Sequence, residues 1–236
     1  MLLTQTPAAR RLPYERAGQL VAGLDYRVSH SAQASFEAYD KRYSDLPVPL
    51  ARGARELIAA GTGRVRGFEA FVQQRLLDRW YGLASYSYSR SQRTDPIFGT
   101  YPDDWDYRHV FTLLTGFRPR RGLEVSGRWR YIGGRPYTQL TRFEVTPAGT
   151  VRSGTGYWVG FEGPHNGARL AAYHRLDLRI DHRHQLGRFH LVTWLDVENI
   201  YSRDNILNQR YSHDRSQPEP VFQWKLLPVG GLSLEF

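Results

Sequence analysis

The stretch Tyr173-His174-Arg175-Leu176-Asp177-Leu178-Arg179-Ile180-Asp181-His182-Arg183 decides the fold. Its odd positions, Tyr173, Arg175, Asp177, Arg179, Asp181 and Arg183, are polar, and Leu176, Leu178 and Ile180 alternate between them. Successive side chains of an extended chain point to opposite faces, so this segment is predicted to be a strand with one charged and one apolar face. Downstream, Phe189 to Tyr201 repeats the pattern, with Phe189, Leu191, Thr193, Leu195 and Val197 on one face and His190, Asp196 and Glu198 on the other. The short link Gln185-Leu186-Gly187-Arg188 makes the two segments a hairpin.

The same alternation extends over 18–29, 33–43, 64–75, 80–91, 108–118, 122–133 and 230–236, giving nine predicted strands. Short connections at 29–33, 76–79, 119–121 and 184–188 alternate with long ones at 44–63, 92–107, 134–172 and 202–229, which carry turn formers such as Tyr101-Pro102-Asp103-Asp104 and Gly163-Pro164-His165-Asn166-Gly167. A soluble meander has no reason to collect every long loop at one end, whereas an outer-membrane barrel has short periplasmic turns and long extracellular loops. In lipid every backbone polar group must be paired within the protein, which a closed sheet with an apolar outside achieves. The predicted fold is therefore all-β, an antiparallel transmembrane β-barrel segment of about nine strands.

Parity then assigns the faces. Leu123, Val125, Gly127, Trp129 and Tyr131 point outward, and Arg128, Arg130, Arg175, Asp177, Arg179, Asp181, Asp196 and Glu198 point into the lumen as a lattice of opposite charges, in which the Arg175 to Arg183 ladder cross-pairs with Asp196 and Glu198. Trp80, Tyr81, Tyr131, Phe189, Tyr201 and Phe236 fall near strand ends, where interfacial girdles are expected.

Composition narrows the function. The 236 residues are 41% hydrophobic and 23% charged. No run approaches the roughly 18 apolar residues of a membrane helix. The first residues, MLLTQTPAARRLPYER, hold an apolar segment too short and too early for a signal peptide. The absence of cysteine excludes disulfides, thiolate chemistry and Cys-based zinc sites. A net charge of +9 comes almost wholly from arginine, since Lys41 and Lys225 are the only lysines among 32 basic residues. With 14% aromatics, that charge leaves an arginine-rich soluble β-sheet nucleic-acid-binding protein as an alternative. Such a protein would collect arginines on one face without acids, whereas Asp177 and Asp181 interleave with them here, so no nucleic-acid partner is expected. A small structural outer-membrane barrel is the other alternative.

Covalent chemistry has little to stand on. No Gly-x-Ser-x-Gly occurs, and His109 has no evident nucleophile, so the chain is not expected to be an enzyme. His174, His182, His184 and His190 lie near one hairpin, but zinc needs three or four converging ligands. Asp103, Asp104 and Asp106 lack the spacing of a calcium loop. No metal or cofactor is expected.

The C-terminal third carries a family resemblance. Tyr173-His174-Arg175-Leu176-Asp177-Leu178-Arg179, then Trp194-Leu195-Asp196-Val197-Glu198-Asn199-Ile200-Tyr201, and finally Leu227-Pro228-Val229-Gly230-Gly231-Leu232-Ser233-Leu234-Glu235-Phe236 resemble the C-terminal barrel of TonB-dependent outer-membrane receptors. Upstream, Gly67-Phe68-Glu69-Ala70, Ala84 to Ser89, Tyr107 to Leu113 and Gly133-Gly134-Arg135-Pro136-Tyr137 resemble earlier strands of that barrel in their usual order, so the likeness spans about Pro13 to Phe236.

That resemblance implies residence in the bacterial outer membrane, in contact with its lipid. It also implies active transport of a scarce large nutrient, a siderophore, corrinoid or glycan, captured in extracellular loops and passed through a barrel of twenty-two strands. The family's plug domain and inner-membrane TonB complex would be partners, and Leu232, Leu234 and Phe236 would be read by the barrel-assembly machinery. Because neither signal peptide nor plug is recognisable, residues 1–236 are expected to be the C-terminal portion of such a barrel, with Met1 an internal start within an outer loop. Arg135, Tyr137, Tyr157, Trp158 and His165 are the candidate ligand contacts, combining aromatic or basic character with an outer-loop position.

Overall fold

The computed structural model describes residues 12–145, 151–153, 157–161, 164–211 and 218–236, with backbone alone between 141 and 163. Nine long strands run in sequence: β1 Arg16–Arg27, β2 Ala32–Pro49, β3 Leu57–Leu77, β4 Trp80–Asp95, β5 His109–Arg120, β6 Leu123–Ile132, β7 Tyr173–Leu186, β8 Phe189–Glu198 and β9 Leu227–Glu235. Each pairs antiparallel with its neighbours in chain order, so the sheet is a simple meander. The outer edges of β1 and β9 have no partner strand among the described residues, so the sheet does not close on itself.

Register confirms the parity read from the sequence. Leu178 stands opposite Val197 and Gly127, Ile180 opposite Leu195 and Val125, and Leu195 opposite Gly230, all on one face. The other face places Arg175 opposite Arg130, Asp177 opposite Arg128, and Arg179 opposite Asp196. The apolar face is uncovered: Leu20, Leu24, Leu113, Ile180, Leu195, Leu232 and Leu234 are all exposed, while Leu46, Val48 and Leu170 are the only buried apolar side chains among the described residues. A water-soluble sheet of this size would cover such a face with a second layer. Here the hydrophobic effect is left to a surrounding apolar medium.

Aromatic rings border that face at both ends. Trp80 stacks on Phe117 at 4.2 Å near the short turns. Toward the long connections the Tyr86 hydroxyl meets His109 Nδ1 and the Tyr201 hydroxyl meets His174 Nδ1, each at 2.8 Å, with Tyr131 beside Trp129. Tyr81 departs from the predicted girdle. It is opposite Gly116 on the inner face and donates its hydroxyl proton to Glu124, because neighbours on a strand cannot share a face and Trp80 takes the outer one.

The largest change to the predicted boundaries is at 44–63, expected to be a long loop. Here β2 continues to Pro49 and β3 begins at Leu57, with a register shift between Tyr43 and Leu46 and Asp45 at φ 59°. The alternation breaks at a bulge rather than at a loop, and there Leu46 and Val48 pack against Gly61. The other long connections contain short pairings: Gly99–Pro102 returns on β4, Leu140–Val145 pairs with Val151–Ser153 and Tyr157–Phe161, Pro136–Tyr137 pairs with Ala168–Arg169, and Ile206–Arg210 pairs with Glu219–Phe222.

Candidate ligand-binding site

Charged side chains on the inner face are joined around Asp177. This carboxylate is 5% exposed, lies 2.9 Å from Arg128 and 2.7 Å from Arg175, and accepts the Asn199 backbone N–H at 3.0 Å. Arg175 also reaches Glu198 at 2.9 Å, so three strands are tied together at one level. Asn199 is fully buried, and its φ of 53° lies in the left-handed region. Asparagine tolerates that conformation. Its side-chain amide donates to the Arg203 carbonyl at 2.9 Å.

Part of the predicted lattice is wired differently. Arg179 faces Asp196 in register, yet its guanidinium holds Asp181 on its own strand at 2.7 Å and lies 4.6 Å from the Trp194 ring centre. Asp196 Oδ1 is buried without a hydrogen-bond partner among the described residues. An i, i+2 carboxylate lies on the same face of one strand, and Trp194 beyond it gives the guanidinium a flat surface to stack on.

Above this lattice, toward the long connections, the inner face opens into a cavity of about 380 Å³ lined among others by Tyr107, Arg130, Arg135, Tyr173, Arg175 and Gln223. Its wall is shaped by the Gly133-Gly134 pair. A Cβ at Gly133 would overlap the Tyr107 carbonyl oxygen, and one at Gly134 would overlap that of Leu170. Only glycine lets these backbones cross. The cavity is basic in excess of its acids. Arg130 stands directly opposite Arg175, and whereas Arg175 is matched by Asp177 and Glu198, Arg130 makes no ion pair among the described residues. The Nε atoms of both Arg130 and Arg135 are buried without an acceptor, and a 3.4 Å contact to Asn208 is the one hydrogen bond of the Arg135 guanidinium among the described residues. Buried guanidinium donors left without acceptors suit an anionic group such as carboxylate, catecholate or phosphate.

The five predicted ligand contacts separate. Arg135 lines the cavity, and Tyr137, on the short strand Pro136–Tyr137 that follows it, accepts a 3.4 Å contact from Gln209. His165 is instead built into an outer cluster, stacked on Phe98 at 4.4 Å and edge-on to Tyr101 at 4.5 Å, with Thr138 at 3.2 Å from Nδ1. That cluster is anchored by Asp95, whose burial opposes its charge while the Phe98 amide, the Tyr101 hydroxyl and the Ile97 amide hold it below the usual carboxylate range. Tyr157 and Trp158 lie on the short strand Tyr157–Phe161, and their side chains fall outside the described residues. Asp103, Asp104 and Asp106 are engaged within the same region: Asp103 with Arg93, Asp104 with Asn166, and the almost wholly buried Asp106 with Arg169 and Arg108. Among the described residues no group of three or more His, Asp or Glu converges to hold a metal. Sequence reasoning misses Tyr107, Tyr173 and Gln223 as cavity residues; inner-face parity marks Tyr173, but no local signal marks the other two.

An apolar band between aromatic borders, a charge-paired inner face and long connections gathered at one end define the wall of a transmembrane β-barrel. The chain belongs to the TonB dependent receptor-like β-barrel family, whose model matches residues 4–200. Solved structures agree in fold. The chain superposes on the ferric-catecholate import receptor Fiu of Escherichia coli K12 with TM-score 0.62 at 17% identity, covering 92% of this chain and 27% of that one. It also superposes on the ferric yersiniabactin uptake receptor FyuA of Yersinia pestis with TM-score 0.64 at 14% identity, covering 93% and 29%. The pyoverdine-bound FpvA of Pseudomonas aeruginosa gives TM-score 0.63 at 13% identity, covering 96% and 28%. The chain thus spans less than a third of the length of these structures. No curated protein matches it by sequence.

Proposed function

We propose that residues 1–236 form the C-terminal part of the barrel of an outer-membrane active-transport receptor, and that the receptor captures an anionic ferric siderophore. The observation that carries this reading is the inner-wall cavity in which the buried Nε donors of Arg130 and Arg135 have no acceptor among the described residues. A multiply charged chelate supplies those acceptors in one rigid body, whereas a neutral glycan leaves the guanidinium groups uncompensated. The receptors Fiu, FyuA and FpvA, whose names or titles refer to ferric catecholate, ferric yersiniabactin and pyoverdine, support the choice of siderophore over corrinoid or glycan. The open edges of β1 and β9 support a larger barrel, since unpaired backbone in lipid costs several kcal/mol per group.

In this reading the receptor does no covalent chemistry. Arg130, Arg135, Tyr137 and Tyr173 orient the chelate in the outer vestibule, with Tyr157, Trp158 and His165 on its rim. Arg128, Arg175, Asp177, Arg179, Asp181, Asp196 and Glu198 face a plug domain that the inner-membrane TonB complex moves. Leu232, Leu234 and Phe236 alternate toward a C-terminal aromatic, the pattern by which the barrel-assembly machinery would recognise β9. The test is uptake of radiolabelled iron by iron-starved native cells, supplied as a ferric tris-catecholate, a ferric hydroxycarboxylate or a neutral ferric trihydroxamate. Deletion of the gene should abolish uptake of an anionic chelate, and Arg130→Gln/Arg135→Gln should raise its half-saturation about ten-fold or more while sparing the maximal rate. Unchanged uptake of every anionic chelate in the deletion strain would overturn the proposal.

A further inference from the structure

The apolar outer face is interrupted by arginines on β2, β3 and β4. Arg42 stands directly opposite Arg64, and Arg66 directly opposite Arg90, all on the face that carries Phe68 and Tyr88. Like charges facing one another across a sheet are destabilising unless something of opposite sign lies between them. Asp40 is the one carboxylate in this group. It stands opposite Arg66 in register, but both its oxygens are turned to Arg64, with Arg42 at 3.7 Å. Arg66 and Arg90 are exposed and make no ion pair among the described residues.

These two arginines and Asp40, whose charge is taken up by Arg64, form the rim of a depression of about 630 Å³ whose floor includes Ala22, Ala38, Phe68 and Tyr88. The floor is apolar and lies on the short-turn side of the rim. From Trp80 to Arg90 along β4, a rise of about 3.4 Å per residue at a tilt of about 45° amounts to roughly 24 Å, the height of an apolar band of about 25 Å. Arg66 and Arg90 therefore stand at the headgroup level of the leaflet on the long-connection side. The floor reaches down into the hydrocarbon.

We propose that this depression binds a phosphate-bearing lipid of the outer leaflet. Its phosphate sits between Arg66 and Arg90, with Arg42 in reach, and one acyl chain lies along Ala22, Ala38 and Phe68. The planar guanidinium fork matches phosphate oxygens, and the rim and floor match the two halves of one amphiphile. A free phosphate ion would use the rim and leave the floor exposed. The inference rests on the reading of the sheet as an outer-membrane wall.

Protein purified from native outer membranes in a nonionic detergent should retain phosphorylated lipid by native mass spectrometry and, once stripped, should bind bis-phosphorylated lipid A. Arg66→Gln/Arg90→Gln should weaken that binding about ten-fold or more. Ala38→Trp, which fills the depression, should weaken it as well, and heat-modifiable migration on gels reports that both variants keep the barrel. Absence of bound phosphorylated lipid, equal binding by the arginine variant, or complete displacement by an equal concentration of inorganic phosphate would overturn the proposal. Membrane fractionation tests the underlying reading separately, since a protein missing from the outer membrane refutes the wall and not merely the lipid.

Discussion

Asp177→Ala is expected to destabilise the barrel wall by about 3 to 5 kcal/mol, the range for removing one partner from a buried charge network. Asp177 answers two guanidinium groups from two strands and the backbone N–H of Asn199 at once. Its loss leaves Arg175, the more enclosed of the two, with Glu198 alone, and leaves the Asn199 amide without its acceptor. Arg128 is partly open to solvent and recovers some hydration, which places the effect toward the lower end. Asp177→Asn should fall between wild type and Ala, since an amide oxygen still accepts the Asn199 N–H while the charge is gone. Urea unfolding in detergent or liposomes, followed by tryptophan emission, measures both variants. Equal stability of Asp177→Ala and wild type would show that water in the lumen compensates the arginines and that the network contributes nothing to stability.

The meander was legible because period-two alternation is a property of each strand alone. Once Leu176, Leu178 and Ile180 were seen to alternate with charged residues, facing and pairing followed without knowledge of the neighbours. Strand ends were less legible. Pro47, Pro49, Gly61 and Gly63 are loop residues by composition, but in the sheet they serve a bulge whose need arises only when β2 and β3 are paired. Side-chain wiring was the least legible. That Arg179 would take Asp181 on its own strand and lie over Trp194 depends on rotamers, which face and register do not fix.

The same limit applies to the candidate site. Arg135 could be singled out because it is basic and lies in an outer loop, yet its neighbours in the cavity, Arg130 and Arg175, come from within β6 and β7. His165 has the same outward credentials in sequence, but three partners hold it within the outer cluster. Position in a loop predicts exposure to a ligand only when no nearer side chain claims the group first.

Leu178→Arg should cost about 2 to 4 kcal/mol, because it places a charge on the lipid-facing side near the middle of the band. Leu178 points outward between Gly127 on β6 and Val197 on β8, with Ile180 and Leu195 on the next level, so no carboxylate lies on that face within the adjacent register. The replacement has no local partner and must snorkel toward an interface. Arg179→Gln, one residue along and on the other face, should cost no more than about 1 kcal/mol, since it removes a partly solvated contact with Asp181 and a stacking interaction with Trp194. Folding into liposomes followed by urea titration compares the two, with Leu195→Arg as a second outward position expected to behave like Leu178→Arg. The two positions are adjacent, so propensity, length and crowding differ little between them, whereas the medium each side chain meets differs greatly. Equal costs at 178 and 179 would mean that both faces see the same solvent, and the apolar stripe would then have to be covered by protein rather than lipid.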